Sequence, residues 1–287
     1  MSGRFKWGMI LRLLALALLM PSLSHALPRQ ANVPGGVALV RLGAVSAHDY
    51  KPPRAWFGEQ PVWVVNDGGH WIAVVGLALD LAEGPYELRV RQHDELKEIS
   101  FQILAKTYPE QRITLKDSGK IRLSEADGER ALAEIAEIQT LKRHWSDVDD
   151  TDAHFQLPVE GRLASRFGLR RFFNGEPRAP HSGLDVAVPR NTPIKASAQG
   201  SVLAVRDYFF NGKTVFVDHG NGLISMYCHL DRIDVQEAEK VGQGQRIGLS
   251  GMSGRASGPH LHWSAILNGV MVDPALFLKN QTARQAH

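Results

Sequence analysis

Four histidines and one aspartate in the C-terminal half of the chain have the spacing of a metal site. They occur as His181-Ser182-Gly183-Leu184-Asp185, then His229 after Tyr227-Cys228, then His260-Leu261-His262. A catalytic zinc takes three nitrogen or oxygen donors and leaves a fourth position for water. His181, Asp185 and His262 make the best set of three. The i, i+4 spacing of His181 and Asp185 would suit a helix, but Gly183 and Pro189 favour a strand or an irregular turn. Residues two or four apart in an extended segment share a face, so both side chains can still point at one metal. His260 and His262 are likewise two apart on one strand face, so one can bind metal while the other reaches the substrate oxygen. A lone histidine more often satisfies a local hydrogen bond. The set, with an aspartate and glycines that let backbones approach closely, argues for a metal centre.

The elements that must hold these residues read as β structure. From Phe155 to Leu278 the chain is dense in glycine, with candidate strands at Val202-Leu203-Ala204-Val205, Thr214-Val215-Phe216-Val217 and Leu223-Ile224-Ser225-Met226-Tyr227. Gly220-Asn221-Gly222 is a tight turn between two of them. This predicts an antiparallel, barrel-like or two-sheet domain over residues 151–280, followed by a tail at 281–287. Every proposed ligand lies in it, so residues 151–287 are expected to fold alone.

Residues 27–105 read as a β-sandwich-like accessory domain of roughly immunoglobulin type, without the cysteine pair of antibody domains. Val62 to Val65 and Trp71 to Val75 flank Asn66-Asp67-Gly68-Gly69 as a hairpin, and Gly84-Pro85 reads as another turn. Residues 106–150 read as a connector with one amphipathic helix, capped by Ser124 and running through Leu132, Ile135, Ile138 and Leu141. The chain as a whole is therefore expected to be all-β and mainly antiparallel, with a helical connector.

The motifs resemble those of one family. His181-Ser-Gly-Leu-Asp185, Met226-Tyr-Cys-His229-Leu and Gly251-Met-Ser-Gly254 through Gly258-Pro-His260-Leu-His262 look like the three ordered motifs of the lysostaphin-type, or LytM-like, metallopeptidases. The likeness covers residues 158–277, including Arg166-Phe167-Gly168-Leu169-Arg170. It implies a β-rich, partly open groove with one zinc held by His181, Asp185 and His262. It also implies that His229 and His260 act on water and the transition state: one takes the water proton and hands it to the leaving amine, the other stabilises the oxyanion. No helical His-Glu-x-x-His pair is present, so the base is expected to be histidine. Two departures stand out: Ser257 where the family often has threonine, and Ser264 where many relatives carry glutamate. Neither removes a ligand.

The function implied is a zinc endopeptidase cutting peptide bonds in the cross-links or stems of peptidoglycan. Two alternatives are a non-enzymatic activator of cell-wall hydrolases and a peptidase for glycine-rich proteins. The N-terminal domain would position or gate the groove, or meet a cell-wall enzyme partner. His219 lies in a turn and reads as structural, and Cys228 as a small buried residue. Tyr227 suits packing as well as the site. Arg170, Arg171 and Arg178 read as a solvated loop, with an acidic peptide stem as their alternative partner.

Residues 1–26 carry Arg4, Lys6 and Arg12, an apolar run from Leu13 to Met20, and Ser24-His25-Ala26. This order predicts a secretory signal peptide cut after Ala26 and a periplasmic or extracellular protein without a stable membrane span. Cleavage removes three basic residues and no acidic one, so the formal charge of +3 falls to about zero. A basic footprint for nucleic acid is then absent. One cysteine in 287 residues allows no internal disulfide, so apolar cores and bound metal must carry the fold.

Overall fold

The computed structural model describes residues 27–46, 51–114 and 123–279. The expected signal peptide and the tail at 281–287 lie outside these residues. The N-terminal part contains β1 (Val37–Ala44), β2 (Arg54–Phe57), β3 (Gln60–Asp67), β4 (His70–Gly76), β5 (Gly84–Gln92) and β6 (Glu95–Ile103). They form one antiparallel sheet in the order β1-β4-β3-β2-β5-β6. β3 joins its halves, pairing with β2 through Gln60 to Val62 and with β4 from Trp63 onward. Val40, Leu88, Val90 and Ile103 from the two halves share one buried cluster. The sandwich expected from sequence is thus a single continuous sheet folded over its own core.

The hairpin between β3 and β4 turns at Gly68 and Gly69, whose φ of 56° and 79° suit a tight reversal. Gly84-Pro85 is no turn. Both residues open β5, where Gly84 pairs with Ile103 and Pro85 with Gln102. Proline is tolerated there because it stands near the start of its strand.

The connector holds a strand as well as a helix. β7 (Glu110–Ile113) precedes α1 (Glu125–Lys142). Ser124 Oγ accepts a hydrogen bond from the Asp127 amide at 3.1 Å, capping the helix as expected. The amphipathic reading holds only for the C-terminal turns: Ile138 and Leu141 pack on a buried cluster, whereas Leu132 and Ile135 are 70% and 46% exposed. The earlier turns dock through polar groups. Arg130 donates to the Asp207 carbonyl, Glu134 accepts from the Phe209 amide and Glu137 meets Arg206. No helix among the described residues is long and apolar enough to cross a membrane.

The C-terminal part adds β8 (Arg162–Ser165), β9 (Arg170–Phe173), β10 (Glu176–Pro177), β11 (Leu184–Ala187), β12 (Pro193–Lys195), β13 (Gly200–Tyr208), β14 (Gly212–Asp218) and β15 (Leu223–Ile233). β16 (Lys240–Val241), β17 (Arg246–Ser250), β18 (His260–Leu267) and β19 (Val270–Val272) complete it. Ten of these strands make one sheet, with β18 central between β15 and β11. β7 pairs in parallel with β9, so the connector extends the small β9-β10 hairpin beside the candidate site.

The two parts are not separate bodies. Val37, Trp63, Val65 and Val74 belong to the same buried cluster as Phe155, Leu223 and Trp263. Asn268 Oδ1 accepts from the Gly76 amide at 2.6 Å, and its Nδ2 donates to the Gly76 carbonyl. A fragment beginning at residue 151 would lose those apolar partners, so its expected independence has to overcome an exposed seam.

Candidate metal centre and groove

The strand register brings the singled-out residues together. On β11 Asp185 stands opposite His262 of β18, and Cys228 of β15 pairs with His262 from the other side. His260 and His262 share one face of β18, as their spacing predicts. His181 lies in the irregular segment before β11, bound to the loop beneath it: the Gly168 amide donates to the His181 carbonyl, and the His181 amide to the Leu169 carbonyl. Gly183 is required here. A Cβ at this position would lie 2.9 Å from His262 Cε1 and 2.6 Å from Ser264 Oγ.

Three donor atoms converge. His181 Nε2 lies 2.9 Å from Asp185 Oδ1 and 3.1 Å from His262 Nδ1, and His262 Nδ1 lies 2.8 Å from Asp185 Oδ1. These three residues form a group able to hold a metal ion. Zinc bonds of about 2.0–2.1 Å in a tetrahedron place neighbouring ligand atoms roughly 3.3 Å apart, so the set fits with a small spreading.

The outer nitrogens explain the orientation. His181 Nδ1 donates to the Arg166 carbonyl at 2.8 Å, which leaves Nε2 as the inward lone pair of the neutral ring. His262 Nε2 meets Ser264 Oγ at 2.9 Å, which frees Nδ1 for the centre. Ser264, a departure from the family pattern, thus supplies a hydrogen bond that fixes ring direction. Burial opposes a charge on Asp185, yet the bonds from His181 and His262 outweigh it and hold the carboxyl far below its usual range. Burial also pushes the His262 imidazole down, against the pull of Asp185.

His229 and His260 face the same volume. Their ring centroids are 4.7 Å apart. His229 Nδ1 donates to the Ser253 carbonyl at 2.9 Å and His260 Nδ1 to the Gly258 carbonyl at 2.8 Å, so each turns Nε2 away from the scaffold, that of His260 to 3.8 Å from Asp185 Oδ1. His229 adopts φ 62° where β15 carries one residue more than its partner β14, a bulge that redirects the side chain. Burial holds its imidazole down to about 4. Close approach makes the supporting loop possible: a Cβ at Gly254 would overlap the Gly212 backbone.

The centre opens into a groove of about 820 Å³. Arg171, Arg178 and Arg255 stand on its rim with Phe173 and Phe210. Arg171 lies 3.8 Å from Asp185 Oδ2 and donates to Ser165 Oγ. Arg171 and Arg178 are therefore at the groove, while Arg170 pairs with Glu110 away from it. Arg255 was not singled out from sequence; its signal was a basic residue inside the glycine-rich segment before His260. Among the described residues of 27–105 none lines the groove, and Leu123 of the connector does.

The remaining candidates point elsewhere. Tyr227 is fully buried, with its hydroxyl accepting from the Ser197 amide, so it packs rather than faces the site. Burial pushes the Cys228 thiol up to about 12, which removes it as a nucleophile. His219 sits in a buried network of its own.

Comparison with known proteins gives the family. Residues 179–274 match peptidase family M23, and residues 30–106 match the peptidase family M23 N-terminal domain. A crystal structure of a putative peptidase M23 from Pseudomonas aeruginosa is 43% identical, covers 86% of this chain and 95% of its own, and superposes with a TM-score of 0.73. The chain belongs to peptidase family M23. The peptidoglycan DD-endopeptidase ShyA of Vibrio cholerae is 44% identical over 125 residues, 42% of this chain and 29% of that protein. The DD-carboxypeptidase/endopeptidase Mpg of Neisseria meningitidis is 37% identical over 116 residues, 40% of this chain and 27% of that protein. The matched segment thus spans under a third of these curated relatives.

Proposed function

We propose that the chain is an exported zinc endopeptidase that hydrolyses peptide bonds in the cross-links or stems of peptidoglycan. The observation that carries this reading is the convergence of His181 Nε2, Asp185 Oδ1 and His262 Nδ1 within 3.1 Å, with two further histidines aimed over the same groove. The substrate class is carried over from relatives named peptidoglycan DD-endopeptidases, ShyA and ShyC of Vibrio cholerae. Arginines on the rim suit a peptide that carries carboxylates.

His181, Asp185 and His262 would hold the zinc. When bound, it supplies a Lewis acid that polarises the scissile carbonyl and acidifies water. His229, kept neutral by its burial, offers Nε2 to the proton of the attacking water. As the water oxygen bonds to the carbonyl carbon, that proton moves to His229 and is then returned to the departing amine nitrogen. His260, beside it, would have to carry a proton on both ring nitrogens, keeping Nδ1 on the Gly258 carbonyl and donating from Nε2 to the oxygen that gains charge. Ser264, Arg166, Ser253 and Gly258 keep the four rings oriented through the turnover.

Intact sacculi incubated with the purified chain, with and without zinc and with a chelator, test the reading. After the glycan strands are digested, mass spectrometry should show cross-linked fragments converted to uncross-linked ones, or stems shortened, only when zinc is supplied. Zinc bound at one per chain with neither change would sink the enzymatic reading.

A further inference from the structure

A second cavity, of about 890 Å³, lies between the N-terminal sheet, the end of α1 and the loop that mounts His181. Lys106, Lys142, Arg143 and Arg170 line it, against a single carboxylate, Asp80. Arg170 shares its charge with Glu110 at 3.4 Å. Lys106, Lys142 and Arg143 form no ion pair with a carboxylate among the described residues; Lys106 lies over the Tyr108 ring and Lys142 donates to Gln139. Burial, and then the neighbouring Arg143, push the Lys142 ammonium down against the pull of Asp80. The rest of the wall is largely apolar, from Leu79, Phe167 and Met271.

Two features tie this cavity to the groove. Ser182, next to His181, lines both. On β9 the neighbouring Arg170 and Arg171 divide between them, Arg170 to the cavity and Arg171 to the groove, as strand alternation requires. Phe167 and Gly168, also on the cavity wall, belong to the segment whose backbone bonds hold His181, and the Tyr108 ring packs on both.

We propose that this cavity is a second binding site for a carboxylate-bearing peptide, adjoining the groove at Ser182. A volume near 900 Å³ falls in the range of roughly 300–1,000 Å³ that small ligands occupy, and a mixed apolar and cationic wall suits a short acidic peptide. The choice of a peptide rests on the proposed function, because the site continues the groove that would take one.

The test is binding of the tetrapeptide Ala-Glu-Glu-Ala, and of its fully amidated counterpart, to the full chain by isothermal titration calorimetry. Lys106 and Arg143 are exposed, so Lys106→Gln with Arg143→Gln leaves folding intact while removing two cations. The double variant should bind the acidic peptide about five- to tenfold more weakly, on the scale of two partly exposed charge pairs. Arg178→Gln should leave the cavity's binding event within about twofold on the same scale, any weakening falling on a separate event in the groove. Equal affinity in all three chains, loss confined to Arg178→Gln, or an amidated peptide bound as tightly as the acid would each overturn the proposal. The readout needs no turnover, so it can fail while the peptidase reading stands, and the reverse.

Discussion

The C-terminal sheet contains two kinds of histidine, and their outer hydrogen bonds separate them. His219 spends both nitrogens on the scaffold: Nδ1 donates to the Gln199 carbonyl and Nε2 meets Ser225 Oγ, both at 2.7 Å. Ser225 continues to Tyr227, whose hydroxyl accepts from the Ser197 amide. His181, His229, His260 and His262 each spend one nitrogen on the scaffold and turn the other toward a shared volume. Burial pushes both His219 and His229 down to about 4, so a perturbed histidine alone does not mark a functional one. The proposed roles rest instead on the nitrogen that each groove histidine turns away from the scaffold, toward Asp185 or the groove.

The comparison breaks most easily at His262. His262→Ala deletes one of three proposed donors, so zinc content at stoichiometric metal should fall well below one per chain, and hydrolysis with it. Atomic spectroscopy beside a sacculus assay checks both. Retention of zinc and activity would return His262 to the same class as His219.

His260→Ala and His229→Ala should keep the zinc and lose turnover by roughly 10²- to 10⁴-fold, the range for a lost proton-transfer group. If His260→Ala loses zinc while His262→Ala keeps it, the two roles on β18 are reversed. A smaller effect is expected at Ser264. Ser264→Ala removes the bond on His262 Nε2 and should weaken zinc binding by about 10- to 100-fold, as loss of an orienting partner does. Competition against a chromogenic chelator measures it; an unchanged affinity would show that strand packing alone orients the ring.

Much of this centre was legible in the sequence because strand periodicity is short. His260 and His262 share a face by their spacing, and Gly183 marks the close approach to His262. Ser264 was equally open to reading, being two residues beyond His262 on that face, but it registered only as a departure from a family pattern. The anchors at Arg166, Ser253 and Gly258 are backbone carbonyls and leave no mark in residue types. The bulge that turns His229 inward depends on an extra residue relative to a strand elsewhere in the chain. In the fold, hairpins and the Ser124 cap were readable because they are local. The parallel pairing of β7 with β9 and the polar docking of α1 were not, since both depend on partners far along the chain.

The smallest effect on activity, and the opposite signature, is expected at His219. His219→Ala leaves the Gln199 carbonyl and Ser225 short of a partner beside Phe155 and opens a void, so it should cost about 2–4 kcal/mol of stability. Zinc content and turnover should stay close to those of the parent, because no donor atom is touched. The pH dependence is a sharper test of the same distinction. The ring titrates near its ordinary value of 6.5 in the unfolded chain and at about 4 when folded, through burial. Between these values the unfolded chain binds the extra proton, so the parent loses stability as pH falls from about 6.5 to 4, by up to roughly 3 kcal/mol. The variant lacks this group and is spared that loss. Urea unfolding of both chains at pH 7 and pH 4.5 should therefore show the gap between them narrowing in acid. A gap that stays constant would mean that His219 is not held neutral by its network, and the contrast with the groove histidines would lose its physical basis.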